Sequence, residues 1–226
     1  MSRPKLWLFD IDGTLMDTGG AGLMALGDAA ESVFGDRGPK LDLRGATDTG
    51  ILEGMYHHFQ REAADELADR FFAAYLERLE FHLNTGAFVS RVLPGVKELL
   101  DRVTAQPDVT VGLLTGNIQP GAWMKMRHFG LDGYFTFGAF GCDHADRDQL
   151  GPVALERAEA EAGRRFSAEE VILVGDTKKD IACARAIGAR CLAVATGHVP
   201  ASELGDAWRV LADLSCPADW SDLVND

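Results

Sequence analysis

Four short apolar runs constrain the fold of this chain of 226 residues more than any other feature. They are Leu6–Phe9, Val109–Leu114, Val171–Val174 and Cys191–Ala195. Each stops at a polar or glycine-bearing turn: Asp-Ile-Asp-Gly, Thr-Gly-Asn, Gly-Asp-Thr and Thr-Gly, respectively. Uninterrupted apolar runs of this length suit strands covered on both faces, as in a parallel sheet. Helical patterns lie among them, over Gly95–Ala105, Pro120–Phe129, Pro152–Ala162 and Lys178–Ile187. Such alternation predicts an α/β fold, an open parallel sheet flanked by helices. Ligands of such sheets bind beyond the carboxyl ends of the strands, where all four polar turns stand.

The alternation stops between about Thr18 and Arg91, which contain no convincing strand. This stretch reads as three helices, Ala21–Phe34, Thr49–His58 and Ala63–His82, the last with a stripe at Leu67, Phe71, Ala74, Leu76 and Leu79. The expected organisation is therefore a catalytic core of residues 1–17 and 91–226 with an inserted α-helical cap domain of residues 18–90. Pro94-Gly95 restarts the core. Phe71, Phe72, Tyr75 and Phe81 are expected to pack inside the cap, and Trp208–Leu214 to supply a last edge strand.

A formal charge of -13 argues against a general affinity for nucleic acid or for an anionic membrane surface. No apolar run approaches the roughly 20 residues of a membrane span. Met1-Ser-Arg-Pro-Lys5 leads directly into a strand without a secretory apolar region. Cys142, Cys183, Cys191 and Cys216 form no C-x-x-C pair, so a reducing cytoplasm is the natural setting. No feature of the sequence sets an oligomeric state.

The chemistry is carried by the strand ends. Asp10 and Asp12 share a face of an extended segment and address one small site. Two adjacent carboxylates repel unless a cation neutralises them or one keeps its proton. A lone acidic turn is the plainer reading of Asp-x-Asp-Gly, and the remaining strand ends decide against it. A carboxylate is a competent nucleophile toward phosphorus, which is the role open to Asp10. Asp12 would protonate the leaving alkoxide and then deprotonate the attacking water. Thr115, Gly116 and Asn117 offer a hydroxyl and backbone N–H groups to phosphate oxygens. Asp176 follows a strand, and Asp180 lies four residues later on the opening turn of a helix. Asp176 with Asp10 makes a hard oxygen site suited to Mg2+, with Asp180 as support behind it.

In this order, Phe9-Asp-Ile-Asp-Gly-Thr-Leu15, Thr115-Gly-Asn117 and Gly175-Asp-Thr-x-x-Asp180 resemble the motifs of the haloacid dehalogenase superfamily. The helical insert resembles the small α-helical cap of that superfamily, whose core is a Rossmann-like sheet. Asp17-Thr-Gly-Gly-Ala-Gly22 and Gly45-Ala-Thr-Asp48 are similar to phosphoglycolate-phosphatase-like members. The resemblance implies Mg2+-dependent hydrolysis of a small-molecule phosphomonoester. Asp10 would be nucleophile and metal ligand, and Asp12 acid/base and metal ligand through its backbone carbonyl. Thr115 would bind phosphate, and Asp176 would complete the metal site. Gly45, Thr47 and Asp48 would lie in a cap loop facing the site, with Thr47 contacting substrate. A phosphomutase would share every motif, whereas 2-haloacid dehalogenases lack the second aspartate. A non-catalytic binding module is the remaining alternative.

One departure from the family stands out. Most members carry a lysine between the second and last motifs, and here that segment reads Asp146-Arg-Asp-Gln-Leu-Gly-Pro152. Lys5, Lys40 and Lys97 are poorly placed, and Lys125 lies inside a helix. The cation expected beside Asp10 is therefore Arg147, with Lys178 or Lys179 as the alternative and a surface pair with Asp146 or Asp148 as the plainer fate of Arg147. Among the histidines only His144, close to Arg147 in sequence, merits attention.

Overall fold

The computed structural model describes residues 3–39 and 44–224. In chain order its elements are β1 (Leu6–Phe9), β2 (Met16–Asp17), α1 (Ala21–Phe34), α2 (Asp48–His58), α3 (Asp65–Asn84), β3 (Arg91–Val92), α4 (Val96–Thr104) and β4 (Thr110–Leu114). There follow α5 (Gln119–His128), β5 (Gly138–Ala139), α6 (Leu150–Ala162), β6 (Val171–Gly175), α7 (Lys178–Ala186), β7 (Arg190–Val194), β8 (Arg209–Leu211) and α8 (Ser221–Val224). Six strands form one sheet in the order β5-β4-β1-β6-β7-β8, and every pairing in it is parallel. β8 is the edge strand expected near Trp208–Leu214.

The apolar runs are buried on both faces because successive side chains point to opposite sides. Trp7, Phe9, Ile172 and Val174 enter one core with Leu99 and Val103 of α4 and Met126 of α5. Leu6, Leu8, Val171 and Leu173 enter the other with Ala154 of α6 and Ile181 of α7. The result is a three-layer α/β/α sandwich with β1 central.

The inserted helices have an apolar cluster of their own. Ala21, Ala25 and Ala29 recur every four residues on α1, so their small side chains form one stripe. That stripe shares a cluster with Phe71, Tyr75 and Leu79 of α3 and with Ile51 and Met55 of α2. From the core, Ile118 is buried in this cluster and Met124 of α5 packs against it. The chain enters and leaves the insert through β2 and β3, which pair antiparallel through Met16↔Val92 and Asp17↔Arg91. These two-residue strands, and β5, escape sequence reading because a period of two has no room to show itself.

Candidate active site

Register builds the site. Phe9 of β1 lies opposite Leu113 of β4 on one side and Val174 of β6 on the other. The residues that follow these strands therefore converge, and Asp10, Thr115 and Asp176 line one cavity of about 480 Å³ with Asp12, Gly116, Asn117 and Arg147. Asp10 N–H continues the ladder by donating to Val174 O at 3.0 Å. Gly13, with φ of 83°, turns the chain back so that Thr14 Oγ1 donates to Asp176 Oδ1 at 3.2 Å. A Cβ on Gly13 or on Gly197 would run into the Asp176 carboxylate, so both positions need glycine for this close approach.

Asp10, Asp176 and Asp180 bring carboxylate oxygens within 4.8 Å of one another, and all three are buried. Burial, ahead of the neighbouring Asp180 and Asp12 charges, pushes the Asp10 carboxyl up to about 6 against the pull of Arg147. Burial, followed by the charges of Asp10 and Asp180, pushes Asp176 up to about 8. Asp180 is already satisfied: its Oδ2 accepts from Thr177 N–H at 3.0 Å and from Thr177 Oγ1 at 2.7 Å, a capping box that starts α7, and its Oδ1 accepts from Arg147 Nη2. Asp10 and Asp176 are thus crowded hard oxygen donors whose charged forms call for a cation. This donor chemistry fits Mg2+.

Arg147 comes from the short turn ahead of α6 and is buried. Its Nη2 lies 3.0 Å from Asp10 Oδ1 and also pairs with Asp180, while its Nε is buried without a partner. Burial works against its charge, and the two carboxylates outweigh that. Asp146 is occupied otherwise, its Oδ1 accepting from Asp148 N–H at 3.1 Å, so the surface-pair alternative is not realised.

The turn after β4 is equally ordered. Thr115 Oγ1 accepts from Asn117 Nδ2 at 2.8 Å, which leaves its own hydrogen available to an anion. A Cβ on Gly116 would collide with the Ala46 carbonyl. Asp48 clamps the same turn from both sides, its N–H donating to Gly116 O at 2.7 Å and its Oδ2 accepting from Ile118 N–H at 2.8 Å. Burial pushes the Asp48 carboxyl up to about 6, opposed by Lys125 and by the Ile118 N–H.

Two expected substrate contacts are not at the cavity. Thr47 Oγ1 accepts from Gly50 N–H at 3.0 Å to cap α2 and donates to Ala145 O at 2.6 Å, so its hydroxyl is spent on structure. Lys178 is exposed and pairs with Glu203 at 2.7 Å, and Lys179 is exposed as well. His144 only accepts from Asp146 N–H in a local turn, while His198, after β7, lines the cavity. The signal for the latter was the Thr-Gly turn at the end of the fourth apolar run, whose Thr196 Oγ1 donates to Gly13 O at 2.5 Å.

Lys125 is the residue that sequence reasoning set aside. It does lie inside α5, and its side chain runs back toward the start of that helix, as long helical side chains do. Its Nζ reaches Asp12 Oδ2 at 2.7 Å, Asp12 Oδ1 at 2.9 Å and Asn117 Oδ1 at 2.6 Å. Asn117 Nδ2 also donates to Asp12 Oδ2 at 2.8 Å. The Asp12 carboxylate is therefore held on Lys125 and Asn117 and is not part of the acidic cluster.

A parallel sheet with an acidic, cation-lined cavity at its strand ends and a helical insert beside it has the architecture of an α/β protein whose site lies beyond the carboxyl ends of its strands. The chain belongs to the haloacid dehalogenase-like hydrolase family, whose sequence profile matches residues 7–185. It is similar to the phosphoglycolate phosphatase of Pseudomonas savastanoi pv. phaseolicola, at 26% identity over 86% of this chain and 71% of the relative. The phosphoglycolate phosphatase of Vibrio vulnificus is 27% identical over 86% of this chain and 85% of its own. Two solved structures share the fold. CbbY from Rhodobacter sphaeroides in complex with phosphate superposes with a TM-score of 0.76 at 18% identity, over 97% of this chain and 99% of that one. A hydrolase from Pseudomonas syringae superposes with a TM-score of 0.75 at 20% identity over the whole of both chains.

Proposed function

We propose that this protein is a Mg2+-dependent phosphatase that hydrolyses a small-molecule phosphomonoester, phosphoglycolate-like in class, through an aspartyl-phosphate on Asp10. The observation that carries the reading is the buried Asp10 carboxylate with the Arg147 guanidinium 3.0 Å away, facing the same cavity as Asp12, Thr115 and Asp176. Phosphoglycolate phosphatases among the relatives support the substrate class.

The Thr115 hydroxyl, the N–H groups of Gly116 and Asn117 and the Arg147 guanidinium hold the phosphate oxygens and counter the charge that develops on them. An Asp10 oxygen attacks phosphorus, the P–O bond to the leaving group breaks, and Asp12 delivers a proton to the departing oxygen. Asp12, now ionised, takes a proton from water as that water attacks phosphorus, releasing inorganic phosphate and restoring Asp10. Asp10, Asp176 and the Asp12 backbone carbonyl would hold Mg2+, which supplies charge neutralisation between nucleophile and phosphate. Asp180 keeps Arg147 and the start of α7 in place.

All four cysteines are free, which supports a reducing, cytoplasmic setting. No described helix is long and apolar enough to cross a membrane. The test is phosphate release from a panel of esters with Mg2+ and no bisphosphate cofactor. Asp10→Asn is expected to abolish release while leaving the thermal transition in place. Residual activity within about tenfold of wild type would contradict the role of Asp10, and dependence on a bisphosphate would make the protein a phosphomutase.

A further inference from the structure

Lys125 has no task in the mechanism above, yet its side chain is only 4% exposed, an expensive place for an ammonium. All three of its hydrogens have acceptors: the two Asp12 oxygens and Asn117 Oδ1. None is left over for a substrate group. Asp12, by contrast, is 42% exposed and sits on a strand-end turn, where solvent alone would let its carboxylate rotate. What restrains it is the ammonium across both of its oxygens, together with the Asn117 amide. The same amide donates to Thr115 Oγ1, so the network that begins at Lys125 runs from the proton-transfer group to the phosphate-binding hydroxyl.

We propose that Lys125 is a positioning residue that, through Asp12 and Asn117, fixes the acid/base carboxyl at the angle from which its proton reaches the leaving oxygen. The inference rests on the phosphatase reading and adds to it a group supplied by a helix interior. Misplacing a reacting group by an ångström costs on the order of 100-fold in rate, so the ammonium has a large effect to exert without touching substrate.

The test compares wild type with Lys125→Met and Lys125→Gln on ethyl phosphate, phosphoglycolate and p-nitrophenyl phosphate, with Mg2+. It reads kcat/KM, which covers the steps up to departure of the leaving group. Ethoxide needs a proton as it leaves, and nitrophenolate does not. Lys125→Met is expected to lose about 100-fold on ethyl phosphate but less than about tenfold on p-nitrophenyl phosphate, with KM for ethyl phosphate changed less than about threefold. Lys125→Gln, which keeps a donor for Asp12, is expected to recover part of the loss. Equal losses on the two esters would overturn the proposal. So would a loss confined to phosphoglycolate with a raised KM, which would make Lys125 a binding site for a substrate carboxylate. Failure of the phosphatase reading is distinguishable, because it shows in the wild type as no phosphate released from any of the three esters.

Discussion

The cavity holds two cation–carboxylate pairs that differ in burial. Around Arg147 everything is dry: its side chain is 4% exposed, Asp10 is 6% and Asp180 is 0%. Around Lys125 one partner is dry and the other wet, with Asp12 at 42%. A dry pair is little screened and holds its geometry, which suits a nucleophile that must face phosphorus along one line. A half-open pair is weaker, which suits a carboxyl that must give up a proton and then take one from water. On the proposed mechanism, the fixed cation serves the nucleophile and the restraining one the acid/base group.

Arg147→Ala is the sharpest way to break this contrast. It leaves Asp10 and Asp180 buried without their cation and, on the proposed mechanism, strips the phosphate of a donor. The expected cost is about 100- to 1000-fold in kcat/KM and about 3 kcal/mol in stability. Lys178→Ala is the control, because it removes only an exposed pair with Glu203; its stability is expected within about 1 kcal/mol of wild type. A larger loss of activity at Lys178 than at Arg147 would place the phosphate-facing cation in the last motif instead.

A smaller effect sharpens the electrostatic side. With EDTA present, the folded protein keeps protons on Asp10 up to about 6 and on Asp176 up to about 8, against an ordinary carboxyl value of 3.8. The folded state then binds more protons than the unfolded one between roughly pH 4 and 8, so stability must fall as pH rises through that window. Denaturant unfolding at pH 6 and pH 8 is expected to show the loss, and Mg2+ to reduce it by replacing the protons. A metal-free stability that rose from pH 6 to 8 would contradict the crowding of these carboxylates.

Much of the fold was legible because parallel strands announce themselves as apolar runs and their polar ends mark where a site is built. Asp10, Thr115 and Asp176 converge for no other reason than that β4 and β6 flank β1. Lys125 was illegible for a physical reason. Position inside a helix says nothing about where a four-carbon side chain ends, and this one reaches back past the start of α5 to Asn117. Thr47 shows the converse, since its motif neighbours do reach the cavity while its hydroxyl is drawn into capping α2. The two-residue strands β2, β3 and β5 carry no period at all. The segment's arginine and the helix's lysine only separate into distinct tasks once Asp10 and Asp12 are seen to face different partners.

On the proposed mechanism Asp10 takes the phosphoryl group. Enzyme mixed with p-nitrophenyl phosphate and Mg2+, quenched in acid during turnover and digested, should yield the peptide carrying Asp10 heavier by one phosphoryl group, with the modification mapping to that residue. A phosphoryl group found on another residue, or turnover with no phosphorylated peptide at any quench time, would contradict it.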